Sequence, residues 1–382
     1  MIKKILTVVG ARPQIIKSAA VSRVMRQSYG SALVEVVVHT GQHYDAMMSD
    51  VFFDELEIPK PAYNLAIGSS SHASQTAAML IALEEVFLRE NPNAVLVYGD
   101  TNSTLAAALV ASKMHIPIVH VEAGLRSFNK KMPEEINRIM TDHLSSVLFA
   151  PTIQAIDNLR REGFQIQHTG PIHPDNPFIA HCGDVMLDNA LHFKAISKTK
   201  SNVLTLLGLV DTPFFLATIH RDANTDNTDK LSQIFSALLR ISVESNTKCV
   251  IPLHPRTKKM LERAELAELN VTLKSHASIL LIDPVSYLEM IALESSCEMI
   301  FTDSGGVQKE SYFFEKPCVI LRPQTEWVEL VENGNAVIAD SDEQRIIDAF
   351  EFLSKKQSFS WPPFYGDGNA AVFICDQLLQ LN

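Results

Sequence analysis

Residues 94–104 read AVLVYGDTNST: five apolar or aromatic residues without a break, a Gly-Asp turn, and then residues of the kind that cap helices. So short and continuous an apolar run fits a strand buried on both faces, and the segment that follows it has helical periodicity. The same unit recurs along the chain. KILTVVG, VEVVVHTG, IPIVHVEA and VLFAPT accompany it in the first half, and FFLATIH, KCVIPLH, SILLID, EMIFTDSGG and PCVILR follow in the second. Buried parallel sheets with crossing helices are expected, not sandwiches. The fold class read from this pattern is α/β, with two Rossmann-like doubly wound domains facing across a cleft.

With 382 residues the chain exceeds what one core usually organises, while 46% hydrophobic and 20% charged residues is ordinary globular composition. The stretch Gln167–Asn176, QHTGPIHPDN, is rich in Pro, His and Gly and divides the two series of strands. The first domain is therefore set at 1–176 and the second at 177–366. The last segment, 367–382, reads as an amphipathic helix that returns to the first domain. No apolar run reaches the ~18 residues that span a bilayer. The start MIKKILTVVGARP meets Gly10 and Arg12 too soon for a secretory signal, so a cytoplasmic protein is expected. Cys182, Cys249, Cys297, Cys318 and Cys375 lie far apart with no CxxC pair and read as reduced structural thiols. A net charge of -11 argues against a nucleic-acid surface, and any phosphate has to be held by local donors.

In open parallel sheets ligands bind beyond the carboxyl ends of the strands, so polar residues just after an apolar run are informative. Arg12, His43, Asp100 and Glu122 occupy such places in the first half, and His220, His254, Asp303 and Ser304 in the second. Capping explains Asp100 or Asp303 equally well. Glu122, ending the apolar IPIVHVEA, is not a turn former and needs a partner if buried. His220 and His254 sit at equivalent places in successive units, each followed closely by an arginine, Arg221 or Arg256. In DSGGVQKE, Ser304, Gly305 and Gly306 open a helix and let backbone amides approach a phosphate at its positive end.

Absent motifs narrow the reading further. GARPQIIK stands after the first strand where a dinucleotide site would place GxGxxG, which disfavours an NAD-dependent enzyme. HExxH, Walker A and clustered His/Cys ligands are missing too, so neither a metal nor any other cofactor is expected.

Taken together, GARPQIIK, YGDTNST, HVEAGLRS, MPEEINR, TIHRDANTD, IPLHPRT, DSGGVQKE and TEWVEL resemble, in order and over nearly the whole chain, the non-hydrolysing UDP-N-acetylglucosamine 2-epimerases. The resemblance implies a fold of the glycosyltransferase-B type. It also implies epimerisation at C2 of a UDP-2-acetamido sugar by elimination and re-addition of UDP, for surface polysaccharide precursors. Asp100, Glu122 and Glu134 would be the catalytic carboxylates, with His220 beside the leaving group. Arg12 and Lys17 would contact the nucleotide phosphates, and Ser304, Gly305, Gly306 and Glu310 would hold the diphosphate and ribose. His43, His254 and Arg322 are assigned to the same substrate site. A homodimer is expected, with a UDP-sugar as the only ligand and neither nucleic acid nor membrane as partner.

Some segments depart from the best-known members. Their HRRE is replaced by His220, Arg221, Asp222 and Ala223, and AIGSSSH replaces an arginine-containing loop of their regulatory site, so substrate activation of that kind is not expected. SFNKKMPEE and TEWVEL are closer to the branch acting on UDP-2,3-diacetamido-2,3-dideoxy-glucuronate. That substrate is the alternative reading, and a glycosyltransferase of the same fold is a further one.

Overall fold

The computed structural model describes residues 2–42 and 58–381. His43 lies outside them. By contacts the chain divides into two units, residues 1–189 with 363–382 and residues 190–362.

The first unit is built on a seven-stranded parallel sheet: β1 (Lys3–Val9), β2 (Leu33–His39), β3 (Tyr63–Asn64), β4 (Ala94–Tyr98), β5 (Ile118–Val121), β6 (Val147–Ala150) and β7 (Phe178–His181). Their order across the sheet is β3-β2-β1-β4-β5-β6-β7. The second unit holds β8 (Phe214–Thr218), β9 (Lys248–Pro252), β10 (Ile279–Ile282), β11 (Met299–Thr302), β12 (Cys318–Ile320) and β13 (Ala336–Ile338), in the order β10-β9-β8-β11-β12-β13. Both are doubly wound sheets. β4, β5, β6, β8, β11 and β12 are buried at every position, as strands covered on both faces by helices must be.

Each unit has its own core. In the first, Leu6, Val8, Val95 and Val97 pack with Met79, Leu83 and Phe87 of the helix His72–Glu90. In the second, Phe215, Ala217 and Phe301 pack with Leu231, Ile234 and Leu238 of the helix Thr228–Glu244, and Phe350 meets Phe215 edge-on at 5.3 Å.

The unit boundaries differ from those read in the sequence. Gln167–Asn176 does not end the first unit, because β7 follows it and pairs in parallel with β6, from Val147↔Phe178 to Ala150↔His181. β7 is four residues long and only partly buried, too short for an apolar run to announce it. The chain re-enters the first unit at Pro363. Its last helix, Ala370–Gln380, buries Ala371, Ile374, Cys375 and Leu378, and Phe373 meets Phe149 edge-on at 6.0 Å. Tyr29 donates to Asp376 at 2.7 Å, and Lys3 Nζ to the Leu379 carbonyl at 2.7 Å.

Candidate active site

In each unit the strand order reverses between two central neighbours, β1 and β4 in the first and β8 and β11 in the second. Crossing helices leave such switch points in opposite directions, and the gap beyond the strand ends is where open α/β sheets bind ligands. The turns at these four strand ends carry Gly10–Arg12, Gly99–Asp100, His220 and Asp303–Ser304. Arg12, Asp100, His220, Asp303 and Ser304 fall there, while Glu122 follows β5 and His254 follows β9.

Gly10 is required by close packing. A Cβ built on it would lie 2.0 Å from Ser103 Oγ and 2.2 Å from Thr40 Oγ1, so two strand ends and the start of the helix Asn102–Lys113 meet at that point. Gln14, one turn into the helix Arg12–Ser28, accepts from the Gly10 amide at 2.8 Å and donates to the Tyr98 carbonyl at 2.8 Å. The turn bearing Arg12 is thereby tied to the turn bearing Asp100.

Two carboxylates at this end of the first unit each have a cation. Asp100 Oδ2 accepts from Arg138 Nη2 at 2.7 Å and Nε at 3.0 Å. Arg138 also donates to Glu135 at 3.0 Å, and buried Glu135 in turn accepts from the backbone amides of Ser127 and Phe128, both at 2.9 Å. The Asn137 amide donates to the Asp100 carbonyl at 2.9 Å. Glu122 pairs with Lys17, one and a half turns along the helix that begins at Arg12. A Cβ on Gly99 would lie 3.3 Å from both Glu122 Oε2 and Lys17 Nζ, which places that pair against the turn of Asp100. Glu134 is exposed in the first turn of the helix Pro133–Leu144, four residues before Arg138 and on the same helix face.

Lys17, expected with Arg12 on nucleotide phosphates, is paired with Glu122. Arg138, Glu135 and Asn137 were not singled out by their place after a strand, because they lie on a helix. The signal available was spacing, since Glu134 and Arg138 are one turn apart. Lys130 lines a cavity of about 630 Å³ with Arg126, Phe128, Glu135, Ile139, His143 and Glu162.

In the second unit the buried Asp303 organises the turn. It accepts from the amides of His220 at 3.1 Å and Arg221 at 3.0 Å, and from Asn224 Nδ2 at 3.1 Å, and it lies 3.4 Å from His220 Nδ1. Burial holds the His220 imidazole below its usual range; Asp303 opposes this, while His254, with ring centroids 5.8 Å apart, and Arg221 add to it. Ser304 caps the helix Gly305–Phe313, accepting from Val307 N at 3.4 Å. Neither Gly305 nor Gly306 needs a left-handed backbone, and a Cβ on either would meet only ordinary contacts at 3.7–3.8 Å. Among the described residues nothing demands glycine at these two places.

Arg322 is held in a two-bond pair by Glu326, at 2.9 and 2.7 Å, and Trp327 Nε1 donates to the Gly305 carbonyl at 2.9 Å. Glu310 lies buried on the same helix as the Ser304 turn. Glu294, fully buried on the helix Tyr287–Ser296, is pushed well above the carboxylate range by burial and by Glu310. His254 accepts from the Arg256 amide at 3.2 Å and caps its own helix. Among the described residues no group of three His, Cys, Asp or Glu is placed to hold a metal ion.

Comparison with known proteins converges on one family. Residues 28–379 match the family profile described as UDP-N-acetylglucosamine 2-epimerase. A Methanococcus maripaludis protein described as a UDP-N-acetylglucosamine 2-epimerase homolog is 48% identical over 380 residues, covering 99% of this chain and 100% of its own. The UDP-2,3-diacetamido-2,3-dideoxy-D-glucuronate 2-epimerase of Pseudomonas aeruginosa is 46% identical over 378 residues, with 99% and 100% coverage. The crystal structure of Methanocaldococcus jannaschii UDP-GlcNAc 2-epimerase in complex with UDP-GlcNAc and UDP matches with a TM-score of 0.82 and 41% identity, over 99% of each chain.

Proposed function

Since the chain belongs to the UDP-N-acetylglucosamine 2-epimerase family, we propose that it interconverts the C2 epimers of a UDP-2-acetamido sugar, UDP-N-acetylglucosamine and UDP-N-acetylmannosamine, by elimination and re-addition of UDP. The observation that carries this reading is the pair of carboxylates at the ends of the neighbouring strands β4 and β5, each paired with a cation: Asp100 with Arg138 and Glu122 with Lys17. Inversion at C2 needs one group to take a proton from one face of the ring and another to return it from the opposite face.

The C2 hydrogen is not acidified by any carbonyl. As the C1–O bond lengthens, its electron pair leaves with UDP, positive charge grows on C1 and the ring oxygen, and the C2 proton becomes removable. A carboxylate takes that proton, and the C2–H electron pair becomes the C1=C2 bond of a 2-acetamidoglucal. Proton return to the other face of C2, with attack of the diphosphate oxygen on C1, completes the inversion. Asp100, Glu122 and Glu134 are the candidates for these proton transfers and for stabilising the cation.

Arg12, the Ser304–Gly306 turn and His220 are assigned to the departing diphosphate. Held neutral by burial, with Asp303 near Nδ1, His220 keeps a lone pair on Nε2 until an anion approaches. A dianionic diphosphate favours protonation there, and the imidazolium then donates to the leaving oxygen. Glu310 and Arg322 are assigned to ribose and diphosphate, and His254 and His43 to the same substrate.

A second reading has its own support. The 46% identity to the diacetamido-glucuronate epimerase and the lysines of SFNKKMPEE favour a uronate at C6, which Lys130 or Lys131 would pair with. We also place the enzyme in the cytosol, on five unpaired cysteines. A homodimer is inferred from Ile81 and Leu88 on one helix and Ile136 and Met140 on another, all apolar and exposed. Light scattering on the purified protein tests the dimer.

Incubation with UDP-N-acetylglucosamine in deuterated water, followed by NMR, tests the reaction. Epimer carrying deuterium at C2 is expected. Epimer that keeps its original C2 hydrogen would sink elimination with solvent-exchanged proton return. Turnover of the diacetamido-glucuronate alone would move the assignment to the second substrate.

A further inference from the structure

Behind the two carboxylate turns, a chain of charged groups that the reaction scheme does not use runs from the buried His120 and Asp142 to Glu162 at the surface. His120, fully buried in β5, has an acceptor at each ring nitrogen: Asp142 Oδ1 is 2.7 Å from Nδ1, and the Gly99 carbonyl is 2.7 Å from Nε2. The other oxygen of Asp142 accepts from the Gly124 amide at 3.1 Å and lies 2.7 Å from Arg126 Nη1. Burial alone would raise the Asp142 carboxyl, but His120 and Arg126 together hold it below the usual range. Arg126 continues to Glu162, donating from Nε and Nη2 at 2.7 Å each.

A neutral imidazole has one N–H and cannot serve two acceptors; only the doubly protonated ring donates from both nitrogens.

We infer that His120 is an imidazolium acting as a positioning residue: with Asp142 it ties the turn carrying Asp100 to the turn carrying Glu122 and so fixes the separation of the two carboxylates. The inference rests on the epimerase reading of those carboxylates. One end of the strut holds the Gly99 carbonyl, next to Asp100, and the other holds Gly124 N, two residues after Glu122. Both turns include left-handed backbone, which glycine adopts readily but Glu122 does not. Gly99 has φ +61°, Gly124 φ +77°, and Glu122, which is not glycine, has φ +74°. A non-glycine residue in the left-handed region persists only where its surroundings over-determine it. Here the Glu122 amide is held by the Phe149 carbonyl at 3.1 Å, and the Gly124 carbonyl by Asn158 Nδ2 at 3.0 Å. The Gly99 amide also donates to the Val121 carbonyl at 3.0 Å, and the His120–Asp142 pair adds a side-chain link between the two turns.

The experiment combines ring-nitrogen NMR on the full chain with ¹⁵N-histidine labelling, using His120→Gln to assign the signal, and steady-state kinetics of His120→Gln, His120→Asn and Asp142→Asn. Both His120 ring nitrogens of the parental protein should carry protons at neutral pH. The variants should lose about 100-fold in kcat, as for a misplaced catalytic group, with KM and UDP affinity within about two-fold of the parent. A parental enzyme that epimerises no UDP-sugar overturns the reading beneath this inference and the positioning role with it. In an active enzyme, a ring with one bare nitrogen, an unchanged kcat, or UDP affinity falling in step with kcat overturns the positioning role alone. Ring protonation is read on the parental protein, so a variant that does not fold still leaves the inference open to refutation.

Discussion

Arg138 reaches two acids at once, Asp100 and Glu135, and Glu135 in turn fixes the Ser127–Phe128 backbone. A lysine there would place one point charge where a planar fork now spans both carboxylates. Arg138→Lys should therefore cost about 10- to 100-fold in kcat with UDP affinity kept, and stopped assays alongside UDP calorimetry would separate the two. Asp100→Asn and Glu122→Gln should lose most turnover and still bind UDP; wild-type rates in either would remove that residue from the proton transfers. Gly305→Val is the converse case. Among the described residues the nearest atoms to a Cβ at that place are side-chain atoms at 3.7–3.8 Å, so the fold should hold while UDP binding weakens by at least about ten-fold, the loss of one or two amide contacts to phosphate. Unchanged calorimetric affinity would take the phosphate assignment away from that turn. These residues were legible because they follow apolar runs, and Glu122 most of all because a carboxylate in HVEAG has no local reason to be there. Lys17 was named only through the family resemblance, and Arg138 and Asp142 were not named at all, since they lie on a helix whose polar positions read as ordinary surface until the sheet brings them under the strand ends.

At the scale of elements, the continuous apolar runs mark the six strands buried throughout and also β1, β2, β9 and β10, which are buried in part. β3, β7 and β13 carry no such run because they are short and partly exposed at sheet edges, where burial imposes no pattern. The final helix was legible from its amphipathic period, but the clamp on its first turn was not. Asp188, almost wholly buried, accepts from the amides of Ala371 at 2.9 Å and Ala370 at 3.3 Å. Burial pushes its carboxyl up to about 6, with Asp184 adding and the two amides and Arg23 opposing. The folded state therefore binds this proton more tightly than the unfolded chain, whose aspartates titrate near about 3.9. Stability from this group is fully present below about pH 4 and falls as pH rises to about 6, by on the order of 2 kcal/mol. Asp188→Asn removes the titration. Measured by thermal melts, the variant should gain on the parent between pH 4.5 and pH 7; a difference that stays constant with pH would show that Asp188 does not titrate in this window.

For the whole molecule, the two α/β series were legible because β-α alternation leaves one topology, while the point of division was not, because β7 and the returning helix depend on contacts distant in sequence. The second unit is one continuous stretch of chain with its own six-stranded sheet and core. The first unit is split, and its C-terminal piece covers helix Arg12–Ser28 and Phe149. Burying Ile374 and Leu378 alone is worth about 3–6 kcal/mol at about 1.5–3 each, comparable with the whole stability of many domains, about 5–15 kcal/mol. A fragment of residues 185–362 should therefore fold cooperatively and bind UDP through the Ser304 turn without epimerising any sugar, because Asp100, Glu122 and Glu134 are outside it. A fragment ending at residue 189 should be unfolded or aggregated, and recover when residues 363–382 are supplied as a peptide. Circular dichroism, thermal melts and UDP calorimetry on the fragments decide it. A 185–362 fragment that folds but ignores UDP would move the nucleotide site away from the second unit, and a 1–189 fragment that melts like the intact protein would leave the returning helix without a structural role.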